Sequence, residues 1–433
     1  MLAVVSFPSA PLTESLVVNA LRTLDPSIEI VQDVPPQPDS IDRLLQYSTY
    51  DKIDHELTHT RPRAVLASSY IIRKALIRKH FLSRCIASYV AKQPESVLKS
   101  AAPRTWDIDI AWADELDDFF ADELWDLAKE LDSDEDTWFI LKAGMADRGN
   151  GIRLFNSRDA LREIFEEFDE QSENESNEES TEQEIITSQL RHFVIQQYLD
   201  RPLLLDPSEV PASNSNPSNL KPYKFHLRAY CIASGALNVL LWSHILALFS
   251  GTPYSAPTHD ENGNVNMHPH LTNTSFHTEH GEKGVRLLSE LVDSTILSSP
   301  QRPKFTESDV AGIVDQVVQI LRETFRAALA SPVHFQSLPN AFELFGVDFL
   351  ITHKPDDVEA FQVSLLEINS EPAIELTGPR LQWILRDMHE SIARICVAPF
   401  FDIGEPSAEN WKIGEKRDGF IKCSEEEVRG NDI

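Results

Sequence analysis

Two long apolar segments in the C-terminal half are separated by a short polar turn, and this arrangement constrains the fold more than any other part of the chain. They read "AFELFGVDFLITH" and "AFQVSLLEIN", with "KPDD" between them. Runs of this length and composition are typical of buried strands, and the turn predicts that the two strands pair as a hairpin. The sequence therefore predicts a pair of buried neighbouring strands here.

Three polar side chains interrupt the predicted hairpin. Asp348 is a lone acid in the first strand, and Glu367 and Asn369 lie in the second. Because side chains alternate along a strand, Glu367 and Asn369 are expected on one face, and Leu366 and Ile368 on the other. A buried acid is normally paired or holds a metal, and oxygen ligands without His or Cys suit Mg²⁺. The alternative to a magnesium site is that each acid pairs with an Arg or Lys at a strand end.

The segment "LKAGMADRGNGI" combines cations with glycines. Lys142 ends an apolar strand, and the loop that follows carries Arg148, Gly149 and Gly151. Backbone N–H groups and two cations in such a loop can approach a polyphosphate. The alternative is an ordinary hairpin with a glycine turn.

The segment "KFHLR" places Lys224, His226 and Arg228 at alternate positions of a predicted strand. The three side chains are therefore expected on one strongly cationic face. Two groups of cations beside a metal-bound triphosphate make electrostatic sense, so this face and the glycine loop are predicted to belong to one site.

Composition limits the class of protein. With 433 residues and 42% hydrophobic content, the chain can bury a sizeable core and is expected to form two or three domains. A net charge of −30 argues against coating nucleic acid. The four cysteines form no CxxC pair, which indicates neither a zinc ribbon nor a disulfide framework. No signal-like or membrane-spanning stretch is visible, so we expect the protein in the cytosol or nucleus, with the cytoplasm preferred.

The order of predicted elements suggests several units. "LAVVSF", "LTESLVVNALRTL" and "IEIVQDV" read as strand, helix, strand, which is an α/β pattern. We predict an N-terminal α/β domain at 1–68, a central domain at 69–199, a C-terminal domain at 200–402 and a polar, loose tail at 403–433. The acidic run 163–184 predicts a disordered insertion near 168–186, whereas the acidic stretch 114–136 has helical apolar spacing and predicts one amphipathic helix.

The stretch "RKALIRKHFLSRC" is the densest basic cluster of the chain, and it carries Arg73, Lys74, Arg78, Lys79 and Arg84. It is predicted to be helical. One interpretation is a solvated helix face, and the other is a docking patch for an acidic partner.

Taken in order, these segments resemble the tubulin-tyrosine ligase family, which has the ATP-grasp fold. The resemblance runs from about Ile72 to Phe400 and includes "RKALIRK", "WFILKAGMADRGNGI", "VIQQYLDRPLLLDP", "KFHLRAY", "HLTN", "FELFGVDFLI" and "LLEINSEPAI". It implies a mixed α+β and α/β architecture, an ATP-grasp fold preceded by the small N-terminal domain.

The resemblance also implies which residues bind the cofactors, ATP and Mg²⁺. ATP is expected between two α+β halves, with Mg²⁺ held by Asp348, Glu367 and Asn369. The expected catalytic residues are Arg228, Lys224 and Glu367. The remaining nucleotide-binding residues are expected to be Lys142, Arg148, Gly149, Gly151, Gln196, Gln197, Tyr198, Leu199, His226 and Asn273, of which Gln196–Leu199 would form the hinge that meets adenine.

Family chemistry implies an ATP-dependent ligase that joins an amino acid to a protein tail, of tubulin or another acceptor, through an acyl phosphate. Two departures accompany it: His226 stands where the family has an acid, and Ser243 and Leu248 stand where it has a second arginine. The alternative is a weakly active or inactive ATP-binding module that acts as an interaction partner. The chain resembles the ligase-like domain of fungal P-body proteins in "SFPSAPL" and "HILALFS". Either function allows a partner at the basic helix, such as an acidic tubulin tail, or a P-body protein.

Overall fold

The computed structural model describes residues 1–133, 136–144, 151–175, 192–210, 219–260, 264–272, 284–357, 360–404 and 411–427. Within these ranges the chain forms three β-sheets, and helices cover them. No helix of the described ranges is long and apolar enough to cross a lipid bilayer.

A parallel sheet of four strands forms the N-terminal part, in the order β2-β1-β3-β4. The predicted strand–helix–strand pattern at the start of the chain is confirmed, and two more strands extend it. The elements are β1 (Leu2–Ser6), α1 (Pro11–Leu24), β2 (Glu29–Val31), β3 (Leu44–Ser48), α2 (His55–Thr60) and β4 (Val65–Ala67).

Three helices follow, the short α3 (Lys74–Ile77), the longer α4 (Lys79–Lys92) and the short α5 (Leu98–Ala101). The predicted single basic helix is interrupted at Arg78, whose backbone is extended between α3 and α4. Three of its cations pair with acids of this chain: Arg73 forms a buried ion pair with Glu343, Lys79 pairs with Glu367, and Arg84 pairs with Asp107.

A smaller antiparallel sheet comes next, in the order β5-β8-β6-β7, with its own apolar core. Its elements are β5 (Thr105–Asp109), α6 (Leu116–Ala121), α7 (Trp125–Ser133), β6 (Phe139–Ala143), β7 (Arg153–Phe155), α8 (Arg158–Glu175) and β8 (His192–Gln197).

Two expectations for the acidic regions change. The stretch 114–136 forms two helices, α6 and α7, rather than one, since the helix ends at Ala121 and resumes at Trp125. The insertion predicted to be disordered near 168–186 is helical as far as Glu175, because α8 continues from an amphipathic first half in which Leu161, Phe165 and Phe168 are buried. Residues 176–191 lie outside the described ranges.

The large sheet of nine strands forms the C-terminal half, and the long strand at its centre pairs with four others. The predicted hairpin is confirmed by its last two long strands, β14 and β15. The elements are β9 (Leu204–Leu205), β10 (Tyr223–Ser234), β11 (Asn238–Trp242), β12 (Leu246–Phe249), β13 (Val285–Leu287), α9 (Glu307–Leu329), β14 (Phe342–His353), β15 (Phe361–Ser370), α10 (Gln382–Ile392), β16 (Lys416–Arg417) and β17 (Phe420–Glu425).

The tail predicted to be loose contributes two strands to this sheet, β16 and β17. Strand β17 pairs with β11, and the Phe420 and Cys423 side chains are fully buried. Short apolar strands inside a polar stretch are easily missed, because only the alternation "FIKCSE" marks this one. The prediction of a loose tail is therefore wrong for residues 416–425.

The cores cross the predicted domain boundaries. Apolar side chains of α3, α4 and α5 pack with α9 and the large sheet, although the prediction grouped these helices with the smaller sheet. Side chains of the N-terminal sheet and α1 pack with α10 and the other face of the large sheet. A single β-bridge between Ala67 and Ala341 connects β4 to the start of β14. These apolar clusters thus extend across the boundaries predicted at 68/69 and 199/200.

Candidate functional site

Strand β10 carries a polar face and an apolar face. Phe225 and Leu227 point into the core beneath α9, so the alternating positions Lys224, His226 and Arg228 share the opposite face. The expectation of one cationic strand face is confirmed in its geometry. Arg228 lies directly opposite Asp348 of the neighbouring strand β14.

A β-bulge in β15 turns the acids toward this face. Asp348 is opposite Glu367, but the next residue, Phe349, is opposite Leu365, so Leu366 is an extra residue on β15. Strict alternation would place Glu367 on the same face as the core residue Leu365. The bulge removes that conflict, since an extra residue re-aims the side chains after it.

Because of the bulge, the prediction for the side chain of Leu366 is wrong, whereas the prediction for Ile368 is confirmed. Leu366 lines the cleft together with Glu367, instead of filling the opposite face as expected. Ile368 packs in the core beneath α9, as expected. Regular alternation assigned Leu366 to the wrong side because a bulge leaves no clear mark in the sequence.

The acids form one hydrogen-bonded cluster with Arg228. The guanidinium Nη2 of Arg228 donates to Asp348 Oδ2 at 3.0 Å, and its Nε donates to the other carboxylate oxygen. The Asn369 amide donates to Glu367 Oε1 at 3.2 Å and lies 3.4 Å from Asp348 Oδ2. Lys79 Nζ lies 3.4 Å from Glu367 Oε2. Burial alone would raise the pKa of Glu367, but Lys79 and Lys142 outweigh it and hold this pKa at about 2.

The smaller sheet supplies the facing wall. Leu141 and Ala143 of β6 point into its core, so Lys142 points toward the cleft. Lys142 Nζ donates to Gln196 Oε1 at 2.7 Å, and Gln196 in turn donates to Thr105 Oγ1 at 3.2 Å. Burial lowers the pKa of Lys142 to about 8. A buried lysine held by a neutral amide keeps its charge available for an anion.

A second buried lysine lies at the base of the cleft. Lys224 Nζ donates to the Tyr198 hydroxyl at 3.2 Å, and the same hydroxyl is 2.8 Å from His270 Nδ1. Burial, followed by repulsion from Lys142, lowers the pKa of Lys224 to about 7. Burial lowers the pKa of His270 to about 4, so this imidazole is neutral beside the lysine. Both buried lysines therefore line one cleft, and burial lowers the pKa of each.

His226 is buried between these groups. Its Nδ1 lies 2.7 Å from Thr272 Oγ1, while its Nε2 lies 3.7 Å from Asp348 Oδ1, beyond hydrogen-bond range. Burial lowers the pKa of His226, which makes the imidazole neutral. Its neighbour across the sheet on β12 is Leu248, one of the two residues that stand where the resemblance implies a second arginine.

These walls form the two sides of an open cleft between the smaller and the large sheet. The predicted site residues that line it are Lys142, Gln196, Gln197, Tyr198, Leu199, Lys224, His226, Asp348 and Glu367. Arg228 and Asn369 contact its acids from the side.

The rest of the predicted site set is only partly described. Gly151 has a φ of +71°, a left-handed conformation that favours glycine, at the point where the predicted glycine loop returns to β7. Arg148, Gly149 and Asn273 lie outside the described residues, and their expected phosphate contacts stay predictions.

Several lining residues were not singled out from the sequence. Lys79, which pairs with Glu367, was assigned to a surface helix, although it stands in the segment "RKALIRK" that carried the family resemblance. His270 and Thr272 belong to "HLTN", a phrase from which only Asn273 was selected. The apolar lining residues Ile140 and Leu350 carry no sequence signal beyond their strand alternation.

The oxygen atoms of this cluster can bind a hard divalent cation such as Mg²⁺ only if phosphate oxygens of a ligand complete its coordination shell. Asp348, Glu367 and Asn369 offer oxygen atoms at one place, as Mg²⁺ requires. Within the described ranges, however, no three His, Cys, Asp or Glu side chains lie close enough to form a complete metal site. Magnesium commonly takes one or two carboxylates and completes its shell with phosphate oxygens, so the residues fit a metal–nucleotide complex.

Comparison with known proteins decides the family. A sequence model of the "Tubulin-tyrosine ligase family" matches residues 58–403. The chain belongs to the tubulin-tyrosine ligase family. It is 34% identical to a probable tubulin–tyrosine ligase of Saccharomyces cerevisiae, PBY1, over 89% of this chain and 50% of that protein. A probable tubulin–tyrosine ligase of Schizosaccharomyces pombe is also 34% identical, over 82% of this chain and 83% of that protein.

A solved structure of a related protein identifies the fold. The C-terminal domain of K. lactis Pby1, an ATP-grasp enzyme interacting with the mRNA decapping enzyme Dcp2, superimposes with a TM-score of 0.67 and 29% identity, and the match covers 99% of this chain and 100% of that one. The predicted ATP-grasp fold of mixed α and β elements is thereby confirmed. The chain spans about half the length of the S. cerevisiae relative.

Proposed function

We propose that the protein binds Mg-ATP in the cleft between the two sheets and uses it as an ATP-dependent carboxylate–amine ligase. The observation that carries this proposal is the opposition of two buried lysines, Lys142 and Lys224, to the carboxylates of Asp348 and Glu367 across one cleft. Lysines neutralise phosphates, and carboxylates hold the cation that accompanies them. Membership of the tubulin-tyrosine ligase family supports the same chemistry.

The residues divide the work by position. Lys142 and Lys224 bind the polyphosphate, and the hinge Gln196–Leu199 contacts the base. Asp348, Glu367 and Asn369 hold Mg²⁺, which when bound neutralises charge on the phosphates. Arg228, fixed by Asp348, orients the group that receives the γ-phosphoryl. Such sites accelerate phosphoryl transfer mainly by positioning and charge neutralisation.

The reaction proceeds in two balanced steps. A substrate carboxylate oxygen attacks the γ-phosphorus, the bond to ADP breaks, and an acyl phosphate forms. An amine then attacks the acyl carbon, phosphate leaves, the amine loses a proton, and an amide results. The acceptor we propose is an acidic protein tail, of tubulin or another protein, in the cytoplasm.

Mass spectrometry tests this function. The protein is incubated with ATP, mixed amino acids and purified tubulin or cell extract, and acceptor masses are compared before and after. We expect gains of one amino-acid residue and ADP release, both abolished by Glu367→Gln, which removes a carboxylate of the cluster. Glu375→Gln, an exposed acid outside the cluster, is the control and should leave turnover unchanged. Wild-type turnover equal to that of Glu367→Gln would refute the ligase proposal.

A second candidate is an ATP-binding module that acts through a protein partner. The side-by-side positions of His226 and Leu248, where the family has an acid and an arginine, favour it, because charged groups of the reaction centre are replaced by neutral ones. Its partner would be a component of an mRNA-decapping assembly, as for the K. lactis relative. Calorimetric binding of Mg-ATP without turnover, combined with a stable partner in pull-downs, would support this function over ligation.

A further inference from the structure

A second cavity lies beside the candidate site and shares Lys142, Gln196 and Leu366 with it. It opens between the smaller sheet and helices α4 and α5, and its volume is about 240 Å³. Lys142 Nζ donates to Gln196, and Gln196 donates to Thr105, so these side chains form one hydrogen-bonded row on the sheet. This row is the polar part of the cavity wall, and the function proposed above leaves the rest of the cavity unused.

Most of the cavity wall is apolar. Leu82, Ile86 and Val90 follow each other along one side of α4, and Val194 of β8 lines the sheet side. Val194 and the bulge residue Leu366 line the cavity without belonging to any of the apolar clusters of the described residues. Apolar side chains that face open space gain free energy when an apolar body covers them. The walls therefore favour an apolar ligand.

The volume sets the size of that ligand. An apolar cavity of about 150 Å³ is large enough to bind benzene. On the same scale, a cavity of about 240 Å³ holds a body of about ten carbon atoms. A bicyclic aromatic ring or a branched chain has this size.

The charged residues of the lining set the sign of the ligand's charge. They are all basic, namely Lys79, Lys99, Arg104 and Lys142, and none of the described lining residues is Asp or Glu. Lys79 pairs with Glu367, and Arg104 pairs with Glu130. Lys99 is exposed on α5 and forms no ion pair within the described part of the chain. An anionic group at the solvent side of the cavity would therefore meet an uncompensated cation.

We propose that this cavity is a second ligand site, which binds a small apolar carboxylate. An aromatic or branched body fills the space between α4 and β8, and the carboxylate faces Lys99 at the solvent side. A carboxylate in this position keeps part of its water, so its desolvation costs less than that of a buried ion. The inference does not depend on the ligase function, because neither nucleotide nor metal takes part in it.

The test is isothermal titration calorimetry of the full chain with 2-naphthoate, whose bicyclic aromatic body matches the size of the cavity. We expect saturable binding to one site per chain. The neutral 2-naphthamide should bind about three- to fivefold more weakly, which is the contribution of one partly exposed ion pair. Both titrations use the wild-type protein, so they do not depend on a variant that folds. Equal affinity for the acid and the amide, or no saturable binding, would overturn the inference.

Matched variants locate the bound acid. Ala87 lines the cavity from the exposed side of α4, so Ala87→Phe should fill part of the space and weaken binding at least about tenfold. Ala91→Phe, one turn further along α4 and outside the lining, should leave binding unchanged. Binding to Ala87→Phe that is as tight as binding to the wild-type protein would overturn the inference.

A second pair of variants tests the charge. Lys99→Gln should remove the preference for the acid over the amide. Lys92→Gln changes an exposed lysine at the end of α4 that does not line the cavity, and it should keep the preference. An unchanged preference in Lys99→Gln would contradict the position proposed for the carboxylate.

Failure of this inference is distinguishable from failure of the proposed function. 2-Naphthoate should still bind when Mg-ATP saturates the cleft of the candidate site. Complete displacement by Mg-ATP would place the acid in that cleft and overturn the second site. Absence of Mg-ATP binding, with 2-naphthoate still bound, would reject the proposed function and leave the second site intact.

Discussion

At the scale of single residues, the basic cluster changes meaning once its contacts are known. Arg73 and Arg84 are tied to acids, and Lys79 is directed to the candidate site. Lys74 is exposed and Arg78 half-buried, so the patch that an acidic partner could meet is smaller than the sequence indicated. Charge counted along a helix does not reveal which residues have partners distant in sequence.

Arg73 is predicted to stabilise the fold rather than bind a partner. The change Arg73→Met leaves the carboxylate of Glu343, which is 3% exposed, buried without its counter-ion, and should lower the free energy of unfolding by about 3–5 kcal/mol. Lys74→Met, at the exposed neighbour, should change it by less than about 0.5 kcal/mol. Denaturant titration of both variants measures the two free energies of unfolding. If both substitutions lowered this free energy equally, the structural role of Arg73 would be contradicted.

Gly346 is predicted to be required next to the acid cluster. A Cβ on this residue would lie 2.7 Å from the Pro372 side chain and 3.4 Å from Arg228 Cδ. Gly346→Ala should therefore destabilise the protein by about 1–3 kcal/mol and weaken Mg-ATP binding, measured by thermal unfolding and calorimetry.

The control for this substitution is Gly312→Ala in helix α9. A Cβ there meets no atom within 4 Å, and alanine favours a helix, so this change should stabilise by about 0.5–1 kcal/mol. Stabilisation by both changes would show that Pro372 moves away freely.

At the scale of elements, the positions of the strands could be predicted from the sequence, whereas the bulge in one of them could not. The hairpin β14–β15 and the face of Lys224, His226 and Arg228 follow from apolar runs and alternation. The bulge at Leu366 does not, because it depends on how the two strands pair in the folded sheet and leaves no clear mark in the sequence. Glu367 was nonetheless placed correctly beside Asp348, since the hairpin register brings them together whichever face Leu366 takes.

Strand β17 is predicted to be necessary for folding. A chain that ends at Gly404 loses the partner of β11 and exposes Trp242, against which Phe420 packs with ring centroids 4.9 Å apart. We expect little soluble protein and a strongly lowered melting temperature. A chain that ends at Glu427 keeps the strand and should match the full-length protein. Soluble, cooperative unfolding of the shorter chain would contradict this role.

At the scale of the whole molecule, the site joins groups from separate cores. Lys142 and Gln196 belong to the smaller sheet, and Lys224, Asp348 and Glu367 to the large sheet. The sequence identified both groups from local patterns, their charges suggested one site for a polyphosphate, and the family resemblance added the order of the elements and ATP as the ligand. The packing of α3–α5 and the N-terminal sheet onto the large sheet could not be predicted, because amphipathic elements do not specify their partners.

Nucleotide binding across this cleft is predicted to take up protons. Lys224 and Lys142 have pKa values lowered to about 7 and about 8 by burial, so both lose protons as the pH rises above these values. A bound polyphosphate raises both pKa values again. Affinity should thus be greatest below pH 7 and fall toward pH 9, by up to about tenfold per pH unit for each lysine.

Calorimetry at pH 8.5 in two buffers of different ionisation enthalpy measures this uptake directly. Lys224→Arg should reduce the number of protons taken up, since a guanidinium stays charged at this pH. Affinity that is constant from pH 6.5 to 9 would contradict the coupling.

The central strand β10 has a further consequence for hydrogen exchange. Its amides lie between strands on both sides, so they should exchange with deuterium only when the whole large sheet opens. The smaller sheet has its own core and can open without the large one, so the amides of β6 and β8 should exchange earlier. A ligand that contacts Lys142 and Lys224 together would join the smaller sheet to the large one. It should therefore slow exchange along the whole of β6 and β8, including amides that it does not touch.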